Sequence, residues 1–183
     1  MSQFTIHNLD TVPAGSRATL EQVNKQFGMV PNLLGVLAEA PGILDGYLQL
    51  HQLFSQSSFN AEELTVVWQT INVEHECTYC VPAHTGIAHS MKVNPALTEA
   101  LRNGQPMPSD KLQVLHETTL QMVRSRGRLT GAEQQRFFDA GFTQRQMLEI
   151  VLGLSQKVIS NYVNHLAETP VDKVYQRFAW QGA

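Results

Sequence analysis

Glu76-Cys77-Thr78-Tyr79-Cys80-Val81-Pro82-Ala83-His84 holds both cysteines of a 183-residue chain, with a histidine one helical turn after the second. On a helix that advances about 100° per residue, Cys77, Cys80 and His84 fall within about 60° of arc. The run predicts a helix from near Cys77 to Met91. Pro82 belongs in its first turns, where the N–H that proline lacks would have no partner anyway. A thiol ordinarily keeps its proton at neutral pH. A helix N-terminus or a nearby histidinium lowers its pKa to roughly 3.5–7.5. The spacing thus points to a thiolate that attacks an electrophilic sulfur or a peroxide oxygen, with the second thiol closing a disulfide on the product. Two plainer readings stand beside it. Cys-x2-Cys-x3-His offers zinc three ligands, which His75 or His165 would complete. The cysteines would otherwise be small buried hydrophobes, a role that explains neither their spacing nor the histidine.

Outward from this run the chain reads as helix throughout. Residues 16–28 predict a helix closed by Gly28. Leu33, Leu34 and Leu37 follow at helical spacing, and Pro41 opens the next helix as its first residue. Asn60 with Glu63 three residues on has the form of a capping box for a helix over about 61–74. Asn94-Pro95 starts a short helix to Arg102, and a proline-rich linker leads to a helix over about 110–126. Thr130 with Glu133 caps another, and Thr143 caps the last, about 144–167, with Met147, Ile150, Val151, Leu154, Val158 and Val163 as its apolar residues. No stretch alternates with the period of a strand. The expected architecture is an all-α bundle of roughly eight helices. One domain over 1–183 is expected, with an arm at 1–15, the cysteine core at 61–92 and a tail at 168–183. The tail aromatics Tyr175, Phe178 and Trp180 are candidates for covering an oligomer interface.

Composition excludes several classes of function. A formal charge of −3, with thirteen scattered Lys and Arg, gives nucleic acid no basic surface. No apolar run approaches the roughly 20 residues that cross a bilayer. The N-terminus lacks the charged and apolar regions of a secretory signal. A cytoplasmic protein is expected, and there a Cys-x-x-Cys pair is catalytic or metal-binding more often than a structural disulfide. His51 and His116 lie on apolar stripes and read as core histidines.

The run Glu63-Leu64, Asn72-Val73-Glu74 and Cys77-Thr78-Tyr79-Cys80-Val81-Pro82-Ala83-His84-Thr85 resembles the core motif of the AhpD-like alkylhydroperoxidases of the carboxymuconolactone decarboxylase superfamily. Val30-Pro31-Asn32-Leu33-Leu34, followed by the Pro41 helix, resembles the N-terminal half of the peroxidase-related branch. Asn164-His165-Leu166-Ala167-Glu168-Thr169-Pro170-Val171-Asp172 resembles its C-terminal signature. The resemblance implies an AhpD-like helical bundle and a thiol-dependent peroxidase. Cys80 would become the sulfenic acid, Cys77 would donate a proton and resolve it, and His84 would join a proton relay. The relay glutamate of the family stands twelve residues before the first cysteine. Thr65 occupies that position here, which leaves Glu63 or Glu74 as candidates for the relay. Tyr79 can take part only if its hydroxyl faces the site. The resemblance further implies a small hydroperoxide substrate, a dithiol reductant (a lipoyl group or a thioredoxin-like protein), no cofactor or metal, and a homo-oligomer, trimer or hexamer. Two alternatives come with it: a thiol–disulfide oxidoreductase without efficient peroxidase activity, and a decarboxylase-like lyase, a branch that lacks the redox pair.

Overall fold

The computed structural model describes residues 2–182. Nine α-helices and one 3-10 helix follow in order: α1 (Ala14–Phe27), α2 (Asn32–Leu37), α3 (Pro41–Ser55), α4 (Ala61–Glu74), α5 (Cys80–Ser90), α6 (Pro95–Arg102), α7 (Asp110–Ser125), α8 (Gly131–Asp139), α9 (Gln144–Ala167), then the 3-10 helix Lys173–Phe178. Among the described residues no strand forms.

The predicted caps are where the sequence puts them. Asn60 and Glu63 close a capping box on α4, and Thr130 and Glu133 close one on α8. Thr143 caps α9 with Gln146 as its partner. Gly28 ends α1 at φ 72°, in the left-handed region that glycine enters without a Cβ clash. The helix predicted from Cys77 begins instead at Cys80. The reason is the end of α4. Glu76 is left-handed at φ 51°, the Cys77 N–H bonds Asn72 O at 2.9 Å, and the Glu76 N–H bonds Val73 O at 2.9 Å. This is a Schellman closure with glutamate where glycine is usual. Cys77 therefore belongs to the end of one helix and Cys80 to the start of the next.

α4 runs through the middle, buried without interruption from Glu63 to Asn72. It packs against α5, α6, α7 and α9, and α3 lies along α9. Gly153 on α9 lets the Phe54 ring of α3 approach to 2.8 Å of where a Cβ would stand. One apolar core joins α4, α6, α7, α8 and the start of α9. A second joins α1, α2 and α3 to Cys77, Tyr79, Cys80 and Ala83. The cysteines thus lie where α2, α3, α5 and α9 meet. The tail aromatics fold onto their own chain rather than outward. Trp180 is buried and donates to Arg102 O at 3.0 Å, and Tyr175 packs against Gly86. No helix among the described residues is long and apolar enough to cross a membrane.

Candidate active site

Cys80 is the first residue of α5, and the Cys77 sulfur accepts its backbone N–H at 3.3 Å. Both thiols are free and buried. From α9, Asn164 donates its amide to Cys80 Sγ at 3.2 Å. Burial pushes the Cys80 thiol up. The hydrogen bond from Cys77, the Lys157 ammonium and the amides of Asn164 and Asn161 outweigh it, and bring Cys80 down to about 5. Cys77 moves the other way, pushed up because its proton is held by Cys80, because it is buried, and because the neighbouring thiolate repels a second charge. The pair therefore shares one proton, held on Cys77.

Lys157 supplies the positive charge. It is fully buried, at 0% exposure, and its Nζ lies 3.0 Å from His84 Nε2. Burial lowers its pKa, and the two cysteines act to raise it. The imidazoles carry no charge to help. His84 is lowered well below its ordinary value by burial and by Lys157, and His51 is lowered to about 4 by the same two causes. An ammonium beside His84 makes Nε2 the acceptor, which leaves the proton on Nδ1. That nitrogen is buried and has no hydrogen-bond partner among the described residues. Trp68 lies between the two imidazoles, with its ring 4.9 Å from His84 and 5.6 Å from His51. Gln156 fixes Trp68 by accepting from its indole N–H at 2.8 Å.

A second layer of amides holds the frame. Asn161 donates to Asn72 Oδ1, Asn72 donates to Gln69 Oε1, and Gln69 donates to Val81 O and Thr85 Oγ1 in the first turns of α5. These side chains sit on α4 and α9 and tie the helix that bears Cys80 to both. Burying so many polar groups is tolerable because nearly every one is paired.

Cys80, His84, His51 and Lys157 line a cleft of about 500 Å³ whose walls are largely apolar, including Leu33, Leu48 and Ile87. Cys77 borders a different recess, of about 370 Å³, between the ends of α4 and α9.

The structure brings together Cys77, Cys80 and His84, and it separates the two glutamates from them. Glu63 is occupied at the N-terminus of α4, in its capping box and in an ion pair with Lys111 at 2.8 Å. Glu74 pairs with Arg124 at 2.7 Å. Thr65 turns its hydroxyl to Ala61 O. The Tyr79 hydroxyl donates to Asp172 Oδ2 at 2.5 Å and accepts from the Leu33 N–H, so it ties α2 to the tail and does not face the sulfur. His75 is held by Asn161, and His165 is exposed at the recess. Among the described residues no group of His, Cys, Asp and Glu is placed to hold a metal ion. His51, read as a core histidine, lines the cleft, whereas His116 is packed against Thr70. Lys157, Asn161 and Asn164 did not emerge as site residues from the sequence. A signal was present: Gln156, Lys157, Ser160, Asn161 and Asn164 repeat at three and four residues, a polar stripe on a helix otherwise read by its apolar positions.

No protein-family model and no curated protein matches the chain. Solved structures do. An uncharacterized peroxidase-related protein from Silicibacter sp. TM1040 superposes with a TM-score of 0.80 at 21% identity, over 95% of each chain. An alkylhydroperoxidase AhpD core protein from Ralstonia eutropha JMP134, also uncharacterized and peroxidase-related, superposes with a TM-score of 0.83 at 17% identity, over 95% of this chain and 94% of that one. The chain has the AhpD-like fold. The debrominase Bmp8, in complex with 2,3,4-tribromopyrrole, is also similar, with a TM-score of 0.75 at 13% identity, over 97% of this chain and 95% of that one. The AhpD-like bundle thus carries more than one chemistry, and its side chains must decide between them.

Proposed function

We propose that the protein is a thiol-dependent peroxidase. The observation that carries this reading is the Cys80 sulfur in a largely apolar cleft lined also by Lys157, with the Asn164 amide at 3.2 Å, surroundings that favour its thiolate. The Cys80 sulfur attacks one oxygen of a hydroperoxide and the O–O bond breaks. The leaving alkoxide takes a proton from the Lys157 ammonium or the His84 Nδ1–H, and Cys80 becomes a sulfenic acid. The Cys77 sulfur then attacks Cys80, water leaves, and the disulfide closes. A dithiol reductant restores both thiols. The apolar walls suit an organic hydroperoxide better than hydrogen peroxide. No metal or organic cofactor enters these steps.

The α9 face opposite the site supports a homo-oligomer, trimer or hexamer. Leu148, Val151, Tyr162 and Leu166 are 71%, 46%, 54% and 67% exposed and follow helical spacing.

Stopped-flow oxidation by cumene hydroperoxide tests the reading. The parent and Cys77→Ser proteins should consume one equivalent rapidly, and Cys80→Ser should not. Equal rates for the parent and Cys80→Ser would sink it. A second reading follows from the likeness to a debrominase whose structure holds a brominated pyrrole. The same thiolate can take a bromine from a halogenated ring while the ring carbon takes a proton, and the Cys77 thiol then attacks the brominated sulfur, bromide and a proton leave, and the disulfide closes. Bromide release from a bromopyrrole without hydroperoxide consumption would favour it.

A further inference from the structure

We infer that the disulfide of this site is reopened from the recess behind Cys77, by a slender dithiol that never enters the substrate cleft. The inference rests on the thiol–disulfide cycle proposed above. Cys80 faces the cleft, whereas Cys77 borders the recess formed by Thr78, Asn164, His165, Glu168 and Thr169. The recess lies between two Schellman closures. One ends α4 at Cys77, and the other ends α9, where the Thr169 N–H bonds Asn164 O at 3.1 Å and Glu168 is left-handed at φ 48°.

Two residues that line the recess, 4% and 7% exposed, each carry a buried polar atom with no partner among the described residues, Asn164 Oδ1 and Thr169 Oγ1. Asn164 spends its amide hydrogen on the Cys80 sulfur, so its oxygen is left for whatever enters from the other side. A buried acceptor without a partner is costly, and an entering S–H or N–H would recover that cost.

The chemistry of exchange selects the same route. A thiolate attacks a disulfide sulfur in line with the bond it breaks. An attacker on Cys77 must therefore approach from the side away from Cys80, and Cys77 lines the recess and not the cleft. The sulfur that departs most easily is the one whose thiolate is best stabilised. Cys80 has Lys157 and Asn164 waiting for that charge, and Cys77 has neither as a hydrogen-bond partner. The reductant thiolate bonds to the Cys77 sulfur, the S–S bond breaks, and its electron pair stays on Cys80. The second thiolate of the reductant then attacks its own bound sulfur. Cys77 leaves and takes one thiol proton, the other goes to solvent, and the reductant departs as a disulfide. Cys77 has no exposed surface, so its sulfur is met only when the side chains of the recess move aside, which a thin chain demands less of than a cysteine held on the face of a folded domain.

The test begins from disulfide closed by diamide, so that it does not depend on peroxide reduction. Oxidised protein is mixed with 2-mercaptoethanol, quenched with iodoacetamide within milliseconds, and digested for peptide mapping. The mercaptoethanol adduct is expected on Cys77 and the carbamidomethyl group on Cys80; the reverse pattern would overturn the inference. His165→Trp should narrow the recess and lower the ratio of the dithiothreitol reduction rate to the diamide oxidation rate at least tenfold. Leu48→Trp, in the cleft, should raise that ratio. A ratio unchanged in His165→Trp, or a disulfide that diamide does not close, also overturns it. If hydroperoxide fails to oxidise Cys80 while the adduct still forms on Cys77, the peroxidase reading falls and the recess stands.

Discussion

Replacing Lys157 by methionine removes the positive charge from the site and keeps its volume. Cys80 is lowered from an ordinary 9.0 to about 5. At about 1.4 kcal/mol per pKa unit, that gap favours the thiolate by roughly 5 kcal/mol, net of the burial that opposes it. The groups that face Lys157 are the two cysteines, His51 from α3 and His84 from α5, with Tyr47 also in the cleft. Neither imidazole carries charge, and burial keeps the Tyr47 hydroxyl protonated. Nothing nearby replaces the lost cation. A single opposite charge at this range moves a pKa by roughly 1–3. A rise of about two would take the thiolate fraction at pH 6 from about nine-tenths to about one-tenth, and would change little at pH 8.5. The iodoacetamide rate, followed from pH 4 to 9 with thiolate absorbance at 240 nm alongside, reads this directly. We expect the midpoint of Lys157→Met to lie two units above the parent's, with the fold retained, because an apolar group replaces a fully buried charge. A midpoint within half a unit of the parent's would refute the assignment of Lys157 as the charge that holds the thiolate.

Asp172 accepts from Tyr79 and from the Asn32 N–H at 2.9 Å, so Asp172→Ala should cost about 3 kcal/mol in urea unfolding by leaving buried donors unpaired; a loss under about 1 kcal/mol would contradict this. His51 is lowered from 6.5 to about 4, so the unfolded chain takes up that proton first, and its stabilising contribution, complete above pH 6.5, is lost as pH falls toward 4. Between pH 8 and 5 the parent should lose about 2 kcal/mol more than His51→Phe, and parallel pH profiles would refute this. Leu166→Glu on the apolar face of α9 should turn an oligomer into a monomer in sedimentation velocity; an unchanged sedimentation coefficient would show that this face is not the interface.

The local signals that were legible were those with a stereochemical cause. Capping boxes, Pro41 and Gly28 marked helix ends because few residues satisfy a helix terminus. The start of α5 was misread because its boundary depends on Glu76 in a left-handed conformation, which carries no glycine to announce it. α9 was misread for a different reason. Val151, one of its apolar residues, is 46% exposed, while Gln156, Lys157, Ser160, Asn161 and Asn164 are buried. The first half of the helix buries Ile150 in the apolar core, whereas the second half turns this polar stripe toward the cysteines. Apolar periodicity finds the two faces of a helix and does not say which one is buried. That inversion hid the residues that charge the site.

It also accounts for the absence of a relay glutamate. A carboxylate near a thiol disfavours the thiolate and serves by taking its proton when the reaction begins. An ammonium favours the thiolate at rest, and then no base is needed to start. Thr65, engaged with its own helix, leaves the first role empty, and Lys157 fills the second. What such a site lacks is not a base but a donor for the leaving oxygen, and the Lys157 ammonium and the His84 Nδ1–H are two groups that can donate there. If this division holds, His84→Phe should leave the alkylation midpoint near 5 and lower the rate with cumene hydroperoxide at least tenfold. A variant that shifts the midpoint with little change in the peroxide rate above it would assign His84 to activation of the thiol instead.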